Sequence, residues 1–174
     1  MRYFLFIFFS FLLSSFSCQK KGIKKNEPVK KPTMDVVIKN SKYARLDDTS
    51  SKEIKLWKEY FITADFLQKL EKTTPVEALN NAIELKKLTK QLKDSLNIKI
   101  LKTPAFKARV NVFENEVLRL ADMTYIPSIT ATEINKQVAK IFSLYGSMNT
   151  KINTVYAKQR FDKAIKLDSL FNFK

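Results

Sequence analysis

The chain has 174 residues and a net charge of +15, with no histidine, one cysteine and two glycines. Lack of histidine removes the commonest general base and metal ligand, and a lone cysteine excludes intrachain disulfides and CxxC metal sites. Two glycines, Gly22 and Gly146, leave no room for a Gly-rich phosphate loop, and scarce Gly and Pro speak against a turn-rich β fold. The length suits one domain, and no catalytic residue, cofactor or metal ligand is predicted.

The first element is an apolar run from Tyr3 to Phe16 behind Arg2. It matches the roughly 7–15 residues of a secretory core better than the ~20 of a spanning helix. Small residues follow, and Ser15-Phe16-Ser17-Cys18 resembles a bacterial lipobox, although Ser15 stands where Leu or Val is usual. The resemblance implies a signal peptide over 1–17 and a diacylglyceryl group on Cys18. A plain secretory signal cut after Ser17 and an uncleaved anchor are the alternatives. Acyl chains contribute roughly 0.8 kcal/mol per buried CH₂, so two or three hold a protein stably at a membrane.

Residues 18–48 read as the lipidated cysteine and a flexible basic linker. Residues 20–45 carry nine Lys/Arg against Glu27 and Asp35, a net +7. Lys20, Lys21, Lys24 and Lys25 lie where anionic lipid head groups would be, with a solvated spacer as the alternative. Pro28 and Pro32 oppose an early helix. The apolar patch Met34–Ile38 is expected to dock on the domain.

The domain, 49–174, is expected to be all-α, an antiparallel bundle of about four helices with a long C-terminal helix. Helix starts are marked by Ser50…Glu53, Thr74-Pro75…Glu77, Thr103-Pro104 and Thr130…Glu133. In such boxes a hydroxyl takes an N–H that the first turn leaves unpaired, and proline at the first helical position loses no bond. The first helix, about 51–72, places Ile54, Trp57, Phe61 and Ala64 on one face, with Leu56, Tyr60, Leu67 and Leu70 beside it. The second, about 75–96, carries Leu85, Leu88, Leu92 and Leu96, joined by Leu79, Ala82 and Ile83. The third, about 104–125, has the cleanest stripe: Phe106, Val110, Phe113, Val117 and Leu120, spaced alternately four and three.

The fourth, about 131–172, repeats that spacing through Ile134, Val138, Ile141, Tyr145, Met148, Ile152 and Val155 before Phe161, Ile165 and Phe171 take over. It is expected to run unbroken through Gly146, where glycine permits a kink without requiring one. It outruns its neighbours, so its distal half should pack on the first helix or protrude.

Candidate sites are few. Glu114 and Glu116 lie two apart, so they do not share a helix face, and are expected to be solvated. Asp47-Asp48 reads as the turn before the first helix. The aromatic group Trp57, Tyr60 and Phe61 reads as core, and Tyr125-Ile126-Pro127 as a cluster closing the bundle end. Asp94-Ser95-Leu96 and Asp168-Ser169-Leu170 resemble the Asp-(Ser/Thr)-aliphatic sequon of Bacteroidetes-type O-glycosylation, making Ser95 and Ser169 candidate modification sites.

Ser-Cys-Gln-Lys-Lys at 17–21, the run Thr103–Leu120, and Phe142–Ile152 before a long amphipathic tail resemble the small helical lipoproteins of flavobacteria. That resemblance implies no activity. The expected protein is a non-enzymatic binding or structural module of the cell envelope, anchored through Cys18. It would face the periplasm or the exterior, with the outer membrane favoured over the inner, and meet an envelope protein rather than nucleic acid. A chaperone-like module or carrier of small apolar ligands is the alternative.

Overall fold

The computed structural model describes residues 33–40 and 43–165. The N-terminal apolar run, Cys18, Lys20, Lys21, Lys24, Lys25, Phe171 and Ser169 lie outside them. The elements are β1 (Ile38–Lys39), α1 (Asp48–Glu53), α2 (Lys58–Lys69), β2 (Lys72–Thr73), α3 (Pro75–Asp94), α4 (Pro104–Met123) and α5 (Ala131–Ile165), with a 3₁₀ turn at Lys99–Leu101.

The all-α bundle with a long C-terminal helix is as expected. Helix α5 is continuous through Gly146 over its 35 residues, roughly 52 Å at 1.5 Å per residue. Helices α3 and α4 have 20 residues each. The α4–α5 pair is antiparallel: Phe113 meets Tyr145, and Glu116, further along α4, meets Gln137, earlier in α5.

Three caps form as their sequences direct. Thr74 and Glu77 exchange both bonds of a capping box, with Pro75 in the first turn. Thr103 accepts from the Phe106 N–H at 3.3 Å. Thr130 accepts from Glu133 N–H while the Glu133 carboxylate takes the Thr130 N–H at 2.9 Å.

The first helix departs from expectation. Asp47, not Ser50, is its N-cap, accepting from the Ser50 N–H at 2.6 Å and the Thr49 hydroxyl at 2.7 Å. A carboxylate three residues upstream captured the Ser50 N–H, and Ser50 moved into the first turn. The helix then breaks between Glu53 and Lys58. At the break Trp57 turns inward, its indole N–H donating to Leu92 O at 3.2 Å and Ser95 Oγ at 3.0 Å. Leu56 is thrown outward, 84% exposed, rather than flanking the core.

The expected stripe of the third helix is buried throughout α4, and α5 buries Ile134 through Ile152 on the same rule, with Val155 half-buried. In α3, Ala82, Leu85 and Leu92 are buried, while Ile83 faces solvent. Phe66 of α2 is buried without having been singled out. Tyr125, 77% exposed, and Ile126 do not close the bundle end; Met123 and Ile129 pack on the core there instead.

The segment read as linker contributes to the packed unit from its second half. Met34 packs on the core, while Val36 and Val37 stay exposed. Strands β1 and β2 pair antiparallel, Ile38 opposite Thr73 and Lys39 opposite Lys72, and Asn40 N–H reaches Glu71 O at 2.9 Å. No helix among the described residues is long and apolar enough to cross a membrane.

Candidate functional site

The chain from Tyr43 to Asp47 crosses the middle of α5 as an extended strap. Gly146 makes this close approach feasible: a Cβ there would lie 3.1 Å from both Ala44 N and Tyr43 Cβ. Two asparagines one helical turn apart hold the strap by its backbone. Asn149 Nδ2 donates to Ala44 O at 2.9 Å. Asn153 Nδ2 donates to Arg45 O at 2.9 Å and its Oδ1 accepts from Asp47 N–H at 3.1 Å. These bonds read only main chain. Tyr43 adds side-chain contact, stacking on Phe142 at 5.3 Å and meeting Tyr145 edge-on at 5.7 Å.

Beside the strap lies an open pocket of about 210 Å³, lined among others by Tyr43, Tyr60, Phe61, Ala64, Gln68 and Tyr145. Tyr60 stacks on Tyr145 at 5.7 Å and donates its hydroxyl to Asn149 Oδ1 at 2.7 Å. Asn149 thus uses its oxygen on the pocket wall and its nitrogen on the strap. The Tyr145 ring and hydroxyl are buried, with the hydroxyl beside that of Tyr60. Burial pushes the Tyr60 hydroxyl up to about 12. Burial, then the proximity of Tyr60 and the hydrogen bond to it, then Tyr43 and Asp65, raise Tyr145 well above the ordinary tyrosine value. Both hydroxyls are therefore donors at neutral pH.

A second, wider groove of about 840 Å³ runs along the other side of the strap, past Arg109, Phe142, Ser147 and Lys151. The hydroxyls of Thr150 and Thr154, also on its wall, donate to α5 carbonyls at 3.0 and 2.7 Å. They are spent on the helix rather than offered to a ligand.

Glu114 and Glu116 were expected in solvent and are instead only partly exposed, each linking α4 to a different neighbour. Glu114 meets Lys93 of α3 at 2.6 Å. Glu116 meets Lys140 of α5 at 2.7 Å and Gln137 Nε2 at 2.9 Å, and these two partners lower its pKa. Being two apart puts them on different faces, and α4 has a neighbour on both. Ser95 caps the end of α3, half-buried, its oxygen taken by the Trp57 indole and its hydroxyl donating to Leu92 O at 3.2 Å.

Trp57 and Tyr60 are buried as core, Phe61 half-buried beside them, as expected. Sequence reasoning missed Tyr43, Asn149 and Asn153. The available signal was the asparagine pair, four residues apart and adjoining the apolar seam of Tyr145, Met148 and Ile152. Among the described residues no group of three or more His, Cys, Asp or Glu could hold a metal ion. Comparisons with protein-family models, curated proteins and solved structures found no match.

Proposed function

We propose that the chain is a lipid-anchored protein of the cell envelope acting as a non-enzymatic binding or structural module through its helical surfaces. The observation that carries this reading is the position of the only cysteine, Cys18, at the polar end of the only long apolar run. Lys20, Lys21, Lys24 and Lys25 follow it directly and would meet anionic head groups. The resemblance to small helical lipoproteins of flavobacteria agrees with this, as does an export signal leading to the periplasm or the cell surface. The far end of α5 supports an envelope protein as partner: Tyr156 is buried, but Phe161, one and a half turns on, is 60% exposed. O-glycosylation belongs to the same proposal at Ser95 and Ser169; at Ser95 it would require opening the Trp57 bond.

Radiolabelled palmitate should mark the wild type, and Cys18→Ala should abolish labelling and release the protein from membranes. Unlabelled wild-type protein, or a variant that still sediments with membranes, refutes the anchor. A carrier of small ligands is the second reading, and the open aromatic pocket beside the strap is the observation that favours it.

A further inference from the structure

We propose that the wider groove on the other side of the strap binds a phosphate monoester of a small organic alcohol, with its oxygens taken by Arg109, Lys151 and Ser147. All three residues line that groove. Helices α4 and α5 run antiparallel with Phe113 against Tyr145. One turn back along α4, to Arg109, therefore corresponds to about one turn forward along α5, between Ser147 and Lys151. The Arg109 guanidinium also folds back over α4, donating to Ala105 O at 2.8 Å, which carries it further toward the level of Lys151. That bond uses one of its five N–H groups and leaves the others free to donate.

Two cations facing one groove repel each other, and this pair has no counterion. No Asp or Glu lines the groove. The ion pairs among the described residues use Arg45, Lys93, Lys140 and Arg160 instead. Arg109 and Lys151 are both half-buried, where a charge without a partner loses part of its hydration. Ser147 forms no hydrogen bond among the described residues, in contrast to Thr150 and Thr154, so its hydroxyl is left to donate. A phosphate monoester carries about −1.5 to −2 at neutral pH on three acceptor oxygens, which matches two cations; a carboxylate carries one charge and leaves a cation unmatched. The Arg fork takes two phosphate oxygens side by side. The groove of about 840 Å³ lies within the roughly 300–1,000 Å³ of small-molecule sites, so the alcohol portion has room along Ala139, Ser143 and the Tyr43 ring. A soluble ester and a phosphatidic acid head group present the same chemistry.

Calorimetry on the full-length chain at low salt, with glycerol 3-phosphate, glycerate and glycerol, tests the site. Glycerol 3-phosphate should bind with a Kd of about 1 mM or below, glycerate at least about tenfold more weakly, and glycerol not measurably. Amide shifts in the wild type, which need no variant, should centre on Ser143, Ser147 and Lys151. Arg109→Gln and Lys151→Gln should each weaken glycerol 3-phosphate by about tenfold or more, the worth of one charge-assisted hydrogen bond. Lys136→Gln, an exposed charge of α5 outside the groove, should leave it unchanged. Ser147→Leu keeps every charge, fills the groove and should abolish binding. Displacement of glycerol 3-phosphate by phosphatidic acid vesicles, but not by phosphatidylglycerol vesicles of equal surface charge, assigns the head group as the source; displacement by neither assigns a soluble ester. Equal affinity for glycerate, an equal loss in Lys136→Gln, or shifts centred elsewhere overturns the proposal. Silence of glycerol 3-phosphate and of both vesicles also overturns it, and leaves untouched the anchor reading that palmitate labelling tests.

Discussion

Replacing Gly146 by leucine would force the strap off α5. A Cβ alone would sit 3.1 Å from Ala44 N and Tyr43 Cβ, a few tenths of an ångström inside ordinary contact, and a leucine extends into the space the strap backbone occupies. Three hydrogen bonds are lost, to Ala44 O, Arg45 O and Asp47 N–H, each worth about 1 kcal/mol net. The pairing of Tyr43 with Phe142 and Tyr145 contributes about 0.5–1.5 kcal/mol per pair, and half-burial of Tyr43 and Leu46 a further ~2–3. Against this, the freed backbone of the strap regains about 1 kcal/mol per residue of entropy, and leucine is better than glycine in a helix by ~0.8. The net loss of global stability is therefore small, about 1–2 kcal/mol, while the local change is complete. Trypsin should cut after Arg45 much faster in Gly146→Leu than in the wild type, with only a modest shift in the urea midpoint. Gly146→Ala asks the strap to yield only slightly and should stay resistant. A leucine variant cut at the wild-type rate, or an alanine variant cut as fast as the leucine one, refutes the role given to Gly146.

Phe113→Ala should lower the unfolding free energy by about 3–5 kcal/mol, because the ring is fully buried and packs against Tyr145; an unchanged urea curve would place it outside the core. On the acid side, Lys140 and Gln137 hold Glu116 below its ordinary 4.5 in the folded state. Its contribution is therefore present above that value and lost as pH falls through the folded one. Glu116→Gln should flatten part of the acid limb of a melting-temperature profile, and an acid limb identical to that of the wild type would contradict this. On the alkaline side, burial raises Tyr60 from 10.0 to about 12, so its effect on stability is nil below the unfolded value. Between about 10 and 12 the unfolded chain ionises first and stability falls. Tyrosinate absorbance should show a late fraction that titrates only with unfolding, and complete titration near 10.0 with the helices intact would refute the burial.

The helical seam was readable because its information is local. Phe106, Val110, Phe113, Val117 and Leu120 recur at the period of the helix, and Thr74-Pro75 and Thr103-Pro104 mark starts by chemistry acting within one turn. The first helix was readable only as a competition between caps. Asp47 three residues before Ser50, and Ser50 three before Glu53, offer the same spacing, and the charged acceptor closer to the entering chain won. Residues 43–47 carry no periodicity, and their partners lie more than a hundred residues away on α5. Because those bonds go to backbone groups, the identities of Ala44 and Arg45 hold almost no trace of them. The trace is on the other side, in two amides and a glycine spaced along an otherwise apolar stretch of helix. Glu114 and Glu116 failed for a related reason: their spacing separates their faces, but whether a face is wet depends on neighbours that the local sequence does not name.

The strap and the pocket are coupled through one side chain. Asn149 accepts from Tyr60 on the pocket wall and donates to Ala44 O in the strap, so two hydrogen bonds connect α2 to the segment entering the bundle. An amide with both ends engaged cannot rotate to suit one partner without losing the other. Displacement of the strap would therefore cost Asn149 its Ala44 partner and remove the Tyr43 wall of the pocket together.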